Sequence, residues 1–434
     1  MKRTRESQVL RPPAFGYHAA SGTRVEQLYC EAVSLEALAA RHGTPLYIYS
    51  AAMIRARVKA FARAFRSIPY TLCYSVKANS ALAILGLLAG ERAGFDVVSG
   101  GELQRVLRVN RKAASKVVFS GVGKTVAEME IALRAGILLF NVESASELNL
   151  LSATTARLKK RASVAVRVNP DVSAKTHPYI STGLHQHKFG VPIPEARTLY
   201  AHAAKQPYLN VAGVSVHIGS QITDVGSFQA ALERVANLVR GLRGEGHDIR
   251  YIDAGGGLGI SYEGAQQNFE KQIAAYAKAV LAPLRGLKLH LLLEPGRSIV
   301  GPAGVLLTRV LYRKTNHRKR FLIVDAAMND LVRPSLYGAY HEIVPVSRDS
   351  RTIEITDVVG PICETGDFFA RDRKVPVVNE GDLLAILDVG AYGAVLGSNY
   401  NTRGRSAEVL VDGTKARAIR RRESLQDQLR TEMF

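Results

Sequence analysis

Long apolar runs are missing from this 434-residue sequence; stretches such as 81–85 are among the longest, far short of the roughly 18 residues a membrane-spanning helix needs. Cysteine is scarce. The three present, Cys30, Cys73 and Cys363, are odd in number and lack metal-ligand spacing, which argues against a disulfide framework or a zinc site. Acidic side chains are also in deficit, 38 against 58 Lys+Arg for a formal net charge of +20. Clustered basic charge is the footprint of phosphate-backbone binding. Here the clusters lie at the start (Lys2, Arg3, Arg5, Arg11), at a hairpin tip (Arg313, Lys314, Arg318, Lys319, Arg320) and at the end (Lys415, Arg417, Arg420, Arg421, Arg422). None is interleaved with the aromatics a base-stacking platform requires, so they read as solvated faces, with nucleic acid an unfavoured partner. No apolar signal region follows the N-terminus, and Pro12-Pro13 interrupts any targeting helix in its basic start. A soluble, cytoplasmic protein with reduced thiols is expected. No solenoid period and no low-complexity tract is present.

What is present is a long alternation. The chain exceeds the roughly 250–300 residues at which a single core stops growing, so two domains are expected. Residues 1–45 form an N-terminal segment expected to pack with the later β domain, including a helix near 34–41 capped by Ser34. From 46 to 299, short β-rich runs alternate with helical patterns. The runs are 71–76, 94–98, 116–120, 137–142, 163–168, 211–217, 249–253 and 287–293. Eight such units predict a (β/α)8 barrel, whose chemistry sits at the C-terminal ends of its strands. There stand Lys77, Ser99, Gly121, Glu143, Asn169, Ile218, Ala254 and Glu294, with Arg167 and His217 ending their strands. Residues 300–434 carry β-type runs at 305–311, 321–325, 352–359, 383–389 and 408–411 without intervening helices, which predicts an all-β domain.

Several groups of residues could carry chemistry. Lys77, at the end of Tyr74-Ser75-Val76-Lys77, offers an amine that can form a Schiff base if its surroundings keep it partly neutral; a solvated surface lysine is the plainer reading. Gly255-Gly256-Gly257 allows close backbone approach to an anion such as phosphate, or simply makes a tight turn. It is not the dinucleotide fingerprint, which would need glycine at Ile260, and Gly121-Val122-Gly123-Lys124-Thr125 is not a nucleotide loop, which would need glycine at Val118. Glu294-Pro295-Gly296-Arg297 places a carboxylate where it could hold a pyridine nitrogen protonated, or an ordinary ion pair. His217 offers a flat ring, or a satisfied structural histidine. His177, His185 and His187 share a loop without an accompanying carboxylate or thiolate set, so no metal is expected. In the β region, Asp330 to Tyr337 and Pro361 to Asp367 mix charge with turn residues as binding loops do. Cys363 could act as an acid with an unperturbed pKa near 8.5, or be a buried small residue.

Taken together, Tyr74 to Ser80, His217 to Gln221, Gly255 to Gly259, Glu294 to Gly301, Asp325 to Tyr340, Cys363 to Asp367 and Gly390 to Gly393 resemble the motif set of the diaminopimelate decarboxylases, in order and over nearly the whole chain. Some motifs are shared with ornithine and arginine decarboxylases; Met328 to Pro334 with Cys363-Glu364 is particular to the diaminopimelate branch. Thr365 stands where serine is usual and Ser75 where alanine is common. The resemblance implies pyridoxal 5′-phosphate bound to Lys77, Glu294 on its ring nitrogen and His217 against its ring. Ser220, Gly255, Gly256, Gly257, Gly296, Arg297 and Tyr392 would surround the cofactor's phosphate or its approach. It further implies that Arg297, Arg333, Tyr337, Glu364 and Tyr392 hold substrate, and that Cys363 protonates the carbanion from a second subunit of a homodimer.

One physical argument separates the branches. A purely cationic tail such as that of ornithine would set its charge near Arg333, at a cost of about 4 kcal/mol for like charges 4 Å apart at an effective dielectric of 20. A tail bearing both carboxylate and ammonium suits Arg333 with Glu364. The alternatives are a decarboxylase of the ornithine or arginine type, or a non-catalytic pyridoxal-phosphate-binding homologue, which would lack Cys363 or Arg333.

Overall fold

Parallel strands covered on both faces need near-continuous apolar side chains, and eight such runs pair side by side in the computed structural model. It describes residues 14–19, 25–172, 188–263, 268–348 and 352–433. The runs are β1 (Tyr70–Ser75), β2 (Gly94–Val97), β3 (Val117–Phe119), β4 (Leu139–Val142), β5 (Ala162–Asn169), β6 (Leu209–Val216), β7 (Tyr251–Asp253) and β8 (His290–Leu293). Each pairs in parallel with the next, and β8 returns to β1, closing the predicted barrel. Its interior is packed by Cys73, Val118, Leu139, Ala165, Ala212 and Leu292. Burying one aliphatic side chain of this kind stabilises by roughly 1.5–3 kcal/mol.

Several strand-to-helix loops end on an oxygen-bearing cap. Ser99, Ser144 and Asn268 accept amide hydrogens of the helices they precede, and Thr125 forms a reciprocal capping box with Glu128. Such caps satisfy donors left open in a first helical turn, each contributing about 1 kcal/mol. They also start the helices promptly, which keeps the loops short and the strand ends in fixed positions.

The chain divides into two compact units, one comprising Arg57–Ile260 and Asn268–Ser298, the other Met1–Ala56, Ser261–Gln267 and Ile299–Phe434. In the second unit a long sheet runs Phe368–Pro376, Ile353–Val359, Lys319–Val324, Gly304–Asn316, Leu46–Ser50, Ala407–Asp412, Lys415–Arg420, with Leu383–Ile386 also on Gly304–Asn316. Glu26–Cys30 pairs with Phe15–Ala19 and with Ser347–Arg348. Leu28, Leu35, Leu46, Ile48, Val305 and Leu307 share one core, and Ser34 caps the helix Leu35–His42 as expected.

Leu46–Ser50, assigned to the barrel by the sequence reading, lies between Gly304–Asn316 and Ala407–Asp412 in the β unit. All five of its residues are buried, a pattern that barrel strands share. Strands Phe368–Pro376 and Lys415–Arg420 were not foreseen, because their many charges mask alternation on an edge.

Members of two of the basic clusters meet acids within the fold; Lys2, Arg3, Arg5 and Arg11 lie outside the described residues. Arg313 donates two 3.0 Å bonds to Glu354, Lys319 lies 3.0 Å from Asp357 and 2.8 Å from Asp372, and Arg420 lies 2.5 Å from the buried Glu408. His177, His185 and His187 lie outside the described residues.

Candidate active site

The C-terminal mouth of the barrel gathers several predicted residues of that unit. Lys77 sits in the single turn Val76–Ala78 directly after β1. Its Nζ lies 3.3 Å from Asp96 Oδ2, which also accepts from Ser75 Oγ at 2.7 Å. The lysine side chain is 35% exposed while that of Asp96 is fully covered, so the amine is anchored yet reachable. Across the mouth, Gly256 N–H donates to His217 Nδ1 at 3.2 Å. That bond leaves the ring proton on Nε2. Burial, then the charges of Arg167 and Lys77, hold the imidazole well below its ordinary range. His217 is therefore a neutral, flat ring.

Glu294 and Asp253 form the floor. Asp253 accepts from Asn141 Nδ2 at 2.6 Å, Gly255 N–H at 2.9 Å and Ser215 Oγ at 3.1 Å. Glu294 receives Ser120 Oγ at 3.3 Å and is hydrogen-bonded to Asp253 itself. Two buried carboxyls in contact require a proton between them. Three other donors make Asp253 the better anion, so the proton resides on Glu294. Its carboxyl is raised well above the ordinary value by burial, then by the charges of Asp253 and Asp96, with Lys77 opposing.

A further acid, Glu102, went unremarked in the sequence. It accepts Val98 N–H at 2.8 Å. Burial raises its carboxyl to about 7; the Val98 amide opposes this, Asp96 adds to it, and Lys77 and Arg105 oppose it. A carboxyl whose folded value lies above its unfolded one binds its proton more tightly when folded. Its contribution to stability is complete below the ordinary 4.5 and is lost as pH rises toward 7. The thermal midpoint of the cofactor-free protein, minus that of Glu102→Gln, therefore declines between pH 4.5 and 7. A difference that stays flat through that window would show that Glu102 is not held protonated.

The glycine loop supports the anion reading only in part. A Cβ on Gly256 would lie 2.1 Å from the Glu294 carbonyl, and on Gly257, whose φ is +99°, 2.2 Å from the Gly219 carbonyl. These glycines are thus required by backbone packing. The amides of Gly255 and Gly256 are already spent on Asp253 and His217, which narrows the predicted three-amide cradle to Gly257. Gln221 ties the neighbouring loop down, donating to Ile260 O at 2.6 Å and accepting Ile260 N–H at 3.2 Å. Arg297, 7% exposed, donates from Nη2 to Ser220 Oγ at 3.1 Å. Gly296 packs where a Cβ would meet Ala78 at 2.9 Å and Ser75 at 3.0 Å, which keeps the Glu294–Arg297 turn against the Lys77 turn. The decoy lysine Lys124 is a buried structural ion, 2.7 Å from Glu147 and from the carbonyls of Gly121 and Asn141.

The β unit holds the other predicted residues. Arg333 and Tyr337 share the short helix Arg333–Tyr337. Cys363 and Glu364 are exposed on one loop. Asp367 fastens that loop, accepting Ile362 N–H at 2.8 Å and Met328 N–H at 2.7 Å, and Asn401 Oδ1 accepts Cys363 N–H at 3.2 Å. Tyr400 hydrogen-bonds Glu364, whose carboxylate raises the phenol above its ordinary range. Tyr392 has φ +56°, a left-handed conformation uncommon for a non-glycine residue.

The barrel-mouth donor set fits pyridoxal phosphate. It comprises an anchored amine for an aldehyde, a neutral ring for a flat face, a buried carboxyl proton for a pyridine nitrogen, and a guanidinium with a hydroxyl for a phosphate. Sequence reading missed Asp96 and Glu102 and gave Asp253 no role. For Asp96 and Asp253 the available signal was a charged residue inside a strand buried on both faces; Glu102 lies in the helix Gly100–Val109 and carries no such mark.

Known proteins point the same way. Residues 51–301 match the family described as "pyridoxal-dependent decarboxylase, pyridoxal binding domain". A diaminopimelate decarboxylase of Pseudomonas aeruginosa is 52% identical over 404 residues, 93% of this chain and 96% of that protein. The structure of a Helicobacter pylori diaminopimelate decarboxylase complexed with L-lysine is 44% identical, with a TM-score of 0.87 over 91% of this chain and 98% of that one. One from M. jannaschii, also with L-lysine, is 37% identical, with a TM-score of 0.91 over 98% and 99%.

Proposed function

The chain belongs to the diaminopimelate decarboxylase family, and from that premise we propose that it removes CO2 from the D-centre of meso-diaminopimelate to leave L-lysine, the last step of lysine biosynthesis. The observation that carries this reading is the convergence of Lys77, neutral His217 and protonated Glu294 on one barrel mouth. The chemistry that pyridoxal phosphate supplies when bound is an electron sink for the bond that releases CO2.

We assign the residues the following roles, which the surroundings of the barrel-mouth groups support. Lys77 Nζ, held by Asp96, would attach the cofactor aldehyde. His217 would offer its neutral ring to the cofactor's flat face, adding no competing positive charge. Glu294 holds a proton at its carboxyl oxygen for the ring nitrogen, with the Asp253 anion beside it to stabilise positive charge there. Ser220, Arg297 and the Gly257 amide take the phosphate. In the β unit, Arg333 and Tyr337 take the carboxylate of the substrate's unreacted end and Glu364 takes the ammonium beside it, while Tyr392 helps to bind cofactor and substrate. Cys363 Sγ gives a proton to the carbon that has lost CO2. Its exposed loop suits delivery from a partner subunit, so we place the enzyme as a homodimer. We place it in the cytoplasm, where that thiol stays reduced.

Cofactor-loaded protein given meso-diaminopimelate yields one CO2 and L-lysine, whereas the LL isomer, which lacks a D-centre, yields none; CO2 from both isomers would refute the assignment. Arg333→Met raises KM for meso-diaminopimelate roughly 10- to 100-fold, because a hydrogen bond to a charged group contributes about 1.5–3 kcal/mol and each 1.4 kcal/mol is tenfold. Steady-state kinetics check this, with kcat changing far less.

A further inference from the structure

Arg333 is 5% exposed, and one of its hydrogen-bond partners is an imidazole. Arg333 Nη1 lies 2.9 Å from His341 Nε2, and His341 Nδ1 lies 2.8 Å from the Leu387 carbonyl. A guanidinium only donates, so Nε2 must present its lone pair; a carbonyl only accepts, so Nδ1 must carry the hydrogen. His341 is thereby fixed as one neutral tautomer. Its anchor is rigid as well, since Leu387 N–H donates to the Glu342 carbonyl at 2.9 Å beside the ladder joining Ile343–Pro345 to Leu383–Ile386. The Tyr262 ring covers the guanidinium, with its centroid 4.8 Å from Cζ, and stands edge-on to His341 at 5.2 Å. Neither of these two contacts, with the imidazole and with the phenol ring, brings a negative charge to Arg333.

We propose that His341 is a positioning residue for substrate recognition: as a neutral acceptor it orients the Arg333 guanidinium toward the carboxylate of the substrate's unreacted end without discharging it. An aspartate or glutamate in its place would also hold the arginine, but would compete with the substrate by supplying the charge-assisted bond that the substrate carboxylate otherwise makes. The imidazole fixes the fork without itself neutralising it. This deepens the reading of Arg333 as the carboxylate-binding group and rests on it.

Two substitutions separate the two ends of the imidazole. Asparagine's Nδ2 reproduces the donor to Leu387 but offers Arg333 no acceptor at Nε2, whereas glutamine's Oε1 reaches that position. His341→Asn raises KM for meso-diaminopimelate about tenfold while kcat and bound cofactor hold within about threefold, and His341→Gln stays within about threefold in KM. Inhibition by L-lysine, which keeps the carboxylate, weakens in step in His341→Asn; inhibition by 1,5-diaminopentane, which has none, does not. The ratio of the two inhibition constants is independent of the active fraction, so it reports even if the variant is partly unfolded. An unchanged ratio, or equal KM rises in the two variants, overturns the proposal. An Arg333→Met enzyme with unaltered KM would instead remove the reading of Arg333 beneath it.

Discussion

Lys77→Ala loses at least about 10^4-fold in turnover, the upper end of what one proton-transferring group contributes, because it also removes the covalent attachment of the cofactor. The visible absorbance of the lysine-bound cofactor disappears with it. The effect is specific because of the geometry around the amine. Asp96 is fully covered and shared between Ser75 and Lys77, so removing the lysine leaves a buried carboxylate that has lost its cation. Glu294 loses the opposing charge that moderates its rise. The mouth keeps its shape, since the turn is held by the Tyr74 hydroxyl on the Asn79 carbonyl at 3.0 Å and by Ser75 N–H on the Pro295 carbonyl at 3.2 Å. Added amines such as methylamine should therefore restore a little activity; full activity without any amine would show that the reaction does not pass through this side chain.

Cys363→Ala is the second large effect, a fall in kcat of about 10^2- to 10^4-fold with the cofactor still bound. The backbone around it is held by Asp367 and Asn401 through main-chain amides, none of which involves the thiol, so the loop keeps its conformation in the variant. If each site combines Lys77 of one subunit with Cys363 of the partner subunit, a heterodimer of the two variants has one intact site and one doubly damaged site. Random reassortment of an equal mixture then gives half heterodimers and about one quarter of wild-type activity from two inactive proteins. No recovery after mixing and dissociation would place Cys363 on the same subunit's site, or outside the site. Loss of cofactor in Cys363→Ala would make the residue structural.

Much of the barrel was legible because its strands are runs of apolar residues whose following helices begin at caps such as Ser99, Thr125 and Ser144. Residues just past the strand ends were legible for the same reason, and Lys77, His217 and Glu294 meet at one mouth as expected. Leu46–Ser50 was misplaced because a strand buried on all five residues carries no mark of which sheet it joins. The Gly255 and Gly256 amides were read as free for an anion because their acceptors, Asp253 and His217, are set by the fold rather than by neighbouring sequence. The same holds for His341. Eight residues separate it from Arg333 and forty-six from Leu387, so only the folded ladder shows that it lies between them. Asp96 and Asp253 could have been caught as acids within strands covered on both faces, where a charge is costly unless paired.

The most direct test is release of CO2 from meso-diaminopimelate, ornithine and arginine supplied in parallel to purified protein carrying pyridoxal phosphate. Rapid release from meso-diaminopimelate, with L-lysine formed in equal amount and the other two left essentially untouched, is the predicted result. Faster release from ornithine or arginine, or none from any of the three, would contradict it.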